Sequence, residues 1–221
     1  MRDSRCVAGV LSLRCDFHSV AAPLPAPRCI FWYSWRVKSI KFLVLVGALF
    51  AATGAVAEER AINEKITVKA NIDDVWKAWT TSDGIKTFFA PDAKVELRVD
   101  GPFEIYMNPF AGPGMRGADD MRIVGFQDKK MLTFTWNAPP SLPEARKQRS
   151  IVIVRFNSRG DALTDVTLHH VGWGEGGEWD KAYDYFGKAW PNVLKNLKKR
   201  FDDGPVDWKP WLLQLKATPK K

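Results

Sequence analysis

From Trp179 to Phe201 the apolar residues are Ala182, Tyr183, Phe186, Ala189, Trp190, Val193, Leu194, Leu197 and Phe201. Only a helix turns that spacing into one continuous stripe. Pro191 sits inside the run. It removes a backbone donor and crowds the carbonyl of Gly187, four residues earlier, so one bent helix is expected rather than two. Gly204-Pro205 ends it. A stripe this wide must be buried against something. No other segment is a helix of comparable length, so the partner must be a sheet.

The sheet is legible upstream. AINEKITVKAN (61–71) is rich in β-branched residues and reads as a first strand, with Ile62, Ile66 and Val68 on one side. In IDDVWKAWTT (72–81), Ile72, Val75, Trp76 and Trp79 fall at helical spacing behind Asn71, an N-cap residue. SDGIKTFFA (82–90) reads as a second short helix starting at Ser82. The period then switches to two. Val95, Leu97 and Val99 share one face, Asp100-Gly101 signals a hairpin turn, and Phe103, Ile105 and Met107 share the next face. MRIVGFQ, LTFTW, IVIVRF and LTDVTLHHV complete six strands in series after the short helices, joined by turns and therefore antiparallel. Residues 107–120 and 137–150 read as long loops. The expected product is an α+β domain, a curved antiparallel sheet wrapped around the long C-terminal helix.

The first 57 residues have a different character. Residues 42–57, FLVLVGALFAATGAVA, form an uncharged run preceded by Arg36, Lys38 and Lys41 and ending in Ala55-Val56-Ala57. That order describes a secretory signal cleaved after Ala57, with an uncleaved anchor as the alternative. The run is short for a membrane span, which needs roughly 20 apolar residues. The expected location is therefore periplasmic or secreted. Residues 1–36 show no periodicity and are read as a non-native or disordered extension ahead of a signal at 37–57, a functional extension being the alternative. Residues 58–203 make the domain and 204–221 a tail. Cys6, Cys15 and Cys29 all lie in the leader, so the mature chain has no disulfide and no thiol nucleophile. Residues 1–57 also hold seven of the 33 Lys and Arg and two of the 25 Asp and Glu, which leaves 26 against 23, a net of +3 rather than +8. Nucleic-acid binding wants a concentrated basic face, and the one dense cluster, KNLKKR at 195–200, suits a solvated helix C-terminus instead. No nucleic-acid partner is expected.

Five stretches together carry a family likeness: VWKAWTTSDGIKTFFAP (75–91), DGPFEIYM (100–107), MLTFTW (131–136), TLHHVGW (167–173) and WDKAYDYFGKAWPNVLKNLKKRF (179–201). In this order the chain resembles the START-like, or SRPBCC, superfamily, within it the branch of the activator of heat-shock-protein-90 ATPase homologue. The resemblance implies a helix-grip fold and an apolar cavity between sheet and long helix. It places Phe103, Met107, Phe134, Trp136, Leu168, His170, Phe186 and Trp190 toward the interior, Phe88 and Phe89 near the mouth, and the loops at 108–120 and 137–150 as lids. The export signal and the tail depart from the family pattern.

His169 and His170 are the only histidines after the leader. Successive strand side chains point to opposite faces, so His170 lies with Leu168 and Val166, and His169 with Thr167 and Asp165. The pair cannot readily hold one metal, and no metal site is expected. His170 reads either as a buried, hydrogen-bonded residue or as a ligand anchor or acid–base group. Trp136 and His170 are the leading pocket candidates. Glu175 and Glu178 suit the acidic first turn of the long helix. The tail pairs Trp208, Trp211, Leu212, Leu213 and Leu215 with lysines. It reads as a segment folded back on the domain, a weak membrane-surface contact being the alternative.

No Gly-rich phosphate loop, zinc spacing or nucleophile elbow appears, so no cofactor is expected. The leading expectation is an exported domain that binds a small apolar molecule without catalysis. A cyclase- or hydrolase-like enzyme using His170 and a co-chaperone-type interaction module are the alternatives.

Overall fold

A computed structural model of the chain describes residues 59–217, so the expectations for the leader and the last four tail residues lie outside the described residues. The domain opens with β1 (Ile62–Val68), α1 (Ile72–Thr80) and α2 (Ser82–Lys86). The Asn71 side chain accepts from the amide of Asp74 and starts α1. Thr81 does the same for Gly84 and starts α2, leaving only one residue between the helices.

Among the described residues eight strands follow the antiparallel rule but form two sheets. β1 pairs with β8 (Thr164–Val171), then come β7 (Ser150–Ser158), β6 (Met131–Trp136) and β5 (Ile123–Gln127), giving the order β1-β8-β7-β6-β5. The smaller sheet holds β2 (Asp92–Val95), β3 (Phe103–Tyr106) and β4 (Gly117–Ala118). The single six-strand run expected from the period is thus corrected. Its break lies at 96–102. Asp100 has φ 58°, its amide donates to Ile123, and the amide of Ile123 donates to Gly101. The Pro102 carbonyl still accepts from the Glu96 amide, but the amides of Asp100 and Phe103 and the Gly101 carbonyl are claimed by 121–123, beside a Pro102–Arg122 bridge, and the β2–β3 ladder runs no further. Leu97 and Val99, expected to share a strand face with Val95, are exposed outside any strand. A Cβ on Gly101 would stand 2.2 Å from the carbonyl oxygen of Glu96, so this turn requires glycine.

The two long loops are more ordered than their composition suggests. Residues 107–120 contain β4, and residues 137–150 contain α3 (Pro143–Arg146). The stripe at 179–201 forms one helix, α4 (Gly177–Asp203), with Pro191 inside it. Its buried face is Ala182, Phe186, Trp190, Leu194 and Leu197. Against it pack Trp79, Phe88, Phe89, Phe134 and Trp136 in one aromatic core, and Phe103 of the small sheet stacks on Phe134 of the large one at 4.0 Å. The layout is the α+β helix-grip fold. The tail carries a last helix, α5 (Lys209–Ala217), and folds back: Trp208 donates to the Lys86 carbonyl at 2.6 Å and Trp211 to that of Met107 at 2.9 Å.

Candidate functional site

On the side of α4 that faces β6 and the two loops, the packing opens into a cavity of about 220 Å³. From α4 come Tyr185, Phe186, Ala189, Trp190 and Val193, one face over two turns. Phe89 and Trp136 close the inner wall, and Met107, Met115, Pro139 and Pro140 come from the loops. Met115 and Tyr185 are about half exposed and stand at the rim. The polar exceptions are Asn108, Arg116 and Asn137. Of the residues expected to face the interior, Met107, Trp136, Phe186 and Trp190 line the cavity. Phe89, expected near the mouth, is a wall residue. Phe88, Phe103, Phe134, Leu168 and His170 lie in the close-packed core, none of them lining the cavity.

His170 is fully buried, and its hydrogen bonds define its state. The indole N–H of Trp190 donates to Nδ1 at 2.9 Å, so Nδ1 carries no proton. The proton of the neutral ring is therefore on Nε2, which donates to Ser150 Oγ at 2.7 Å. Ser150 in turn donates to the Trp136 carbonyl at 3.4 Å. Burial pushes the His170 pKa down from 6.5 to about 3, so the ring is neutral at ordinary pH. This is the reverse of a Ser–His catalytic pair, in which an acceptor on Nδ1–H leaves Nε2 free to take the serine proton. His169 lies on the opposite face, its Nδ1 2.6 Å from Asn63 Oδ1. Among the described residues no group of three or more His, Cys, Asp or Glu is placed to hold a metal.

At the rim lies a polar cluster that pattern reading missed. Asp119 is buried, and its carboxylate accepts from the amides of Gly114, Arg116 and Gly117 and from Arg116 Nε at 2.8 Å. Burial pushes the Asp119 pKa up, but these bonds outweigh it and hold the carboxyl below the usual range. Arg146 of α3 reaches across to Asp119 Oδ2 at 3.4 Å and donates to the carbonyls of Gly114, Gly117 and Ala138. With its amide turned to face Arg146, Asn137 accepts from it as well. The carboxylate of Glu178 accepts from the amides of Glu144 and Ala145, fixing the start of α3 to α4. The loops expected as lids are thus tied to each other and to the helix.

Arg116 differs from Arg146. Its guanidinium is held by Asp119 at Nε and lies 3.9 Å over the Tyr106 ring. The hydrogen bond it donates to Asp119 raises its pKa further. Glu104 is 3.9 Å from Nη2, too far for a hydrogen bond, and among the described residues no acceptor bonds either Nη. Two buried indole N–H groups, of Trp79 and Trp136, also have no partner among the described residues, and of these only Trp136 is on the cavity wall.

Residues 69–202 match the sequence profile of the family described as activator of Hsp90 ATPase homolog 1-like protein. A comparison with curated proteins finds no match. Among solved structures, protein MLL2253 from Mesorhizobium loti superposes with a TM-score of 0.53 at 18% identity, covering 66% of this chain and 100% of that one. The Aha1 dimer from Colwellia psychrerythraea gives 0.50 at 19%, covering 66% and 98%. CalU16 from Micromonospora echinospora gives 0.50 at 20%, covering 71% and 80%. At these identities the likeness is one of fold.

Proposed function

Because this chain belongs to the activator of Hsp90 ATPase homolog 1-like family, whose fold encloses space between sheet and helix, we propose that it binds a small apolar molecule without transforming it. The observation that carries the reading is the cavity of about 220 Å³, walled by Phe89, Met107, Trp136, Phe186, Trp190 and Val193. Concave, mostly apolar sites with a few polar groups are where small ligands bind. The size suits a body of one or two rings, since a cavity of roughly 150 Å³ already takes benzene. The non-catalytic part rests on His170, whose two ring nitrogens are both engaged, with the proton on the wrong nitrogen for a base.

Native mass spectrometry of the protein purified from its own compartment, followed by solvent extraction, tests the reading. A bound apolar species is expected. An empty protein that also shows no thermal shift with sterols, lipids or aromatics would overturn it. The proposal includes export to the periplasm or medium, on the strength of the apolar run at 42–57 and the Ala55-Val56-Ala57 site. N-terminal sequencing of the cell-fractionated protein should give Glu58 as first residue outside the cytoplasm. An uncleaved cytosolic chain would remove export. It would favour the second reading suggested by the family's name, a module that acts on a chaperone.

A further inference from the structure

We propose that the ligand is a neutral molecule with an oxygen acceptor, a ketone, ester, amide or hydroxyl, read by the Nη edge of Arg116. The inference rests on the cavity reading above and specifies its chemistry. Arg116 is the only charged side chain among the cavity's lining residues. It is not a loose surface arginine. Asp119 holds Nε, the Arg116 amide donates to the same carboxylate at 2.9 Å, and the guanidinium carbon sits 3.9 Å over the centre of the Tyr106 ring. This fixes the plane of the fork and leaves the Nη groups without an acceptor among the described residues. A pre-oriented donor costs little to engage, since its rotamer entropy is already lost.

Charge then selects the head group. Around the fork stand Arg116 and Arg146 against Asp119 and Glu104, two of each sign. The two carboxylates already neutralise the two guanidinium groups. An anionic head would come close to Glu104, 3.9 Å from Nη2, with no uncompensated positive charge to offset its desolvation. A neutral acceptor takes the open N–H groups without that cost.

Calorimetric titration of the mature protein with three probes of one body tests this: methyl naphthoate, naphthoate and ethylnaphthalene. The ester is expected to bind roughly 10-fold or more tighter than the hydrocarbon, the range of a hydrogen bond to a charged group. The carboxylate at pH 7 is expected to bind no better than the hydrocarbon. Arg116→Met should reduce the ester to the affinity of the hydrocarbon and leave the hydrocarbon unchanged. Arg116→Lys, which keeps the charge and loses the fork, should fall between. Tightest binding by the carboxylate would overturn the inference in favour of an anion site. Equal binding of ester and hydrocarbon to the unaltered protein would overturn it while leaving the apolar cavity reading intact. Binding of none of the three would overturn both.

Discussion

Two polar clusters stand on either side of one aromatic wall, and they are satisfied differently. Behind the wall, Trp190, His170, Ser150 and the Trp136 carbonyl form a chain in which both nitrogens of the ring are paired. At the rim, Arg146 donates to carbonyls and Asp119, while the Nη groups of Arg116 beside it have no hydrogen-bond acceptor among the described residues. Inside a packed core an unpaired donor costs the full desolvation of the group. A charged donor left open costs least where water or a ligand can reach it. The histidine that looks chemical in the sequence has both ring nitrogens paired inside the core, while the arginine in a glycine-rich loop has no acceptor on its Nη groups among the described residues.

The largest expected effect falls on the carboxylate that holds the rim. Asp119→Ala leaves Arg146 buried without its counter-charge and three amides unpaired, and should lower stability by about 3–5 kcal/mol in urea denaturation. His170→Phe should cost about 2–4 kcal/mol, because the Trp190 indole loses its acceptor and the Ser150 hydroxyl oxygen loses its donor, yet leave the ester-over-hydrocarbon preference intact. If that preference collapses with stability unchanged, the comparison between the two clusters is broken. The same residue sets a pH dependence. Its folded pKa of about 3 lies below the unfolded value of 6.5, so the unfolded chain binds the proton first. Stability should be full above pH 6.5 and fall toward pH 3, by up to about 1.4 kcal/mol per pH unit. Asp119, whose pKa is held low, adds a loss in the same direction but only below its ordinary value of 3.8. In His170→Phe the slope between pH 6.5 and 4 should shrink.

Smaller effects sharpen the contrast. Trp208→Phe removes one hydrogen bond from the tail to Lys86 and should cost about 1 kcal/mol. Ala189→Trp fills the cavity from α4. It should change stability by about 1 kcal/mol or less, while calorimetry shows methyl naphthoate binding abolished.

Much of the fold is readable because it follows local period. The stripe from Ala182 to Phe201 defines α4, and strand parity separates His169 from His170. Parity also puts Phe134 and Trp136 inward, although only Trp136 reaches the cavity. The rim cluster has no such signal. Arg116, Asp119 and Arg146 sit in segments that read as polar loops, and Arg146 meets Asp119 from 27 residues away. Nothing in their spacing marks them. Composition does mark the turn at Asp100-Gly101, but as a hairpin. The observed break arises because 121–123 competes for the same backbone groups.

Hydrophobic period, caps and turns thus determined which segments are helices and strands, and which face of each is buried, because those depend on residues within a few positions of one another. The tertiary structure alone decided that the strands divide into two sheets and that the loops are tied down. It alone decided that both ring nitrogens of His170 are paired, and that Arg116 is held at Nε by Asp119. Those outcomes depend on which donors meet which acceptors across the fold, and hydrogen bonds between distant segments leave no periodic trace in the chain.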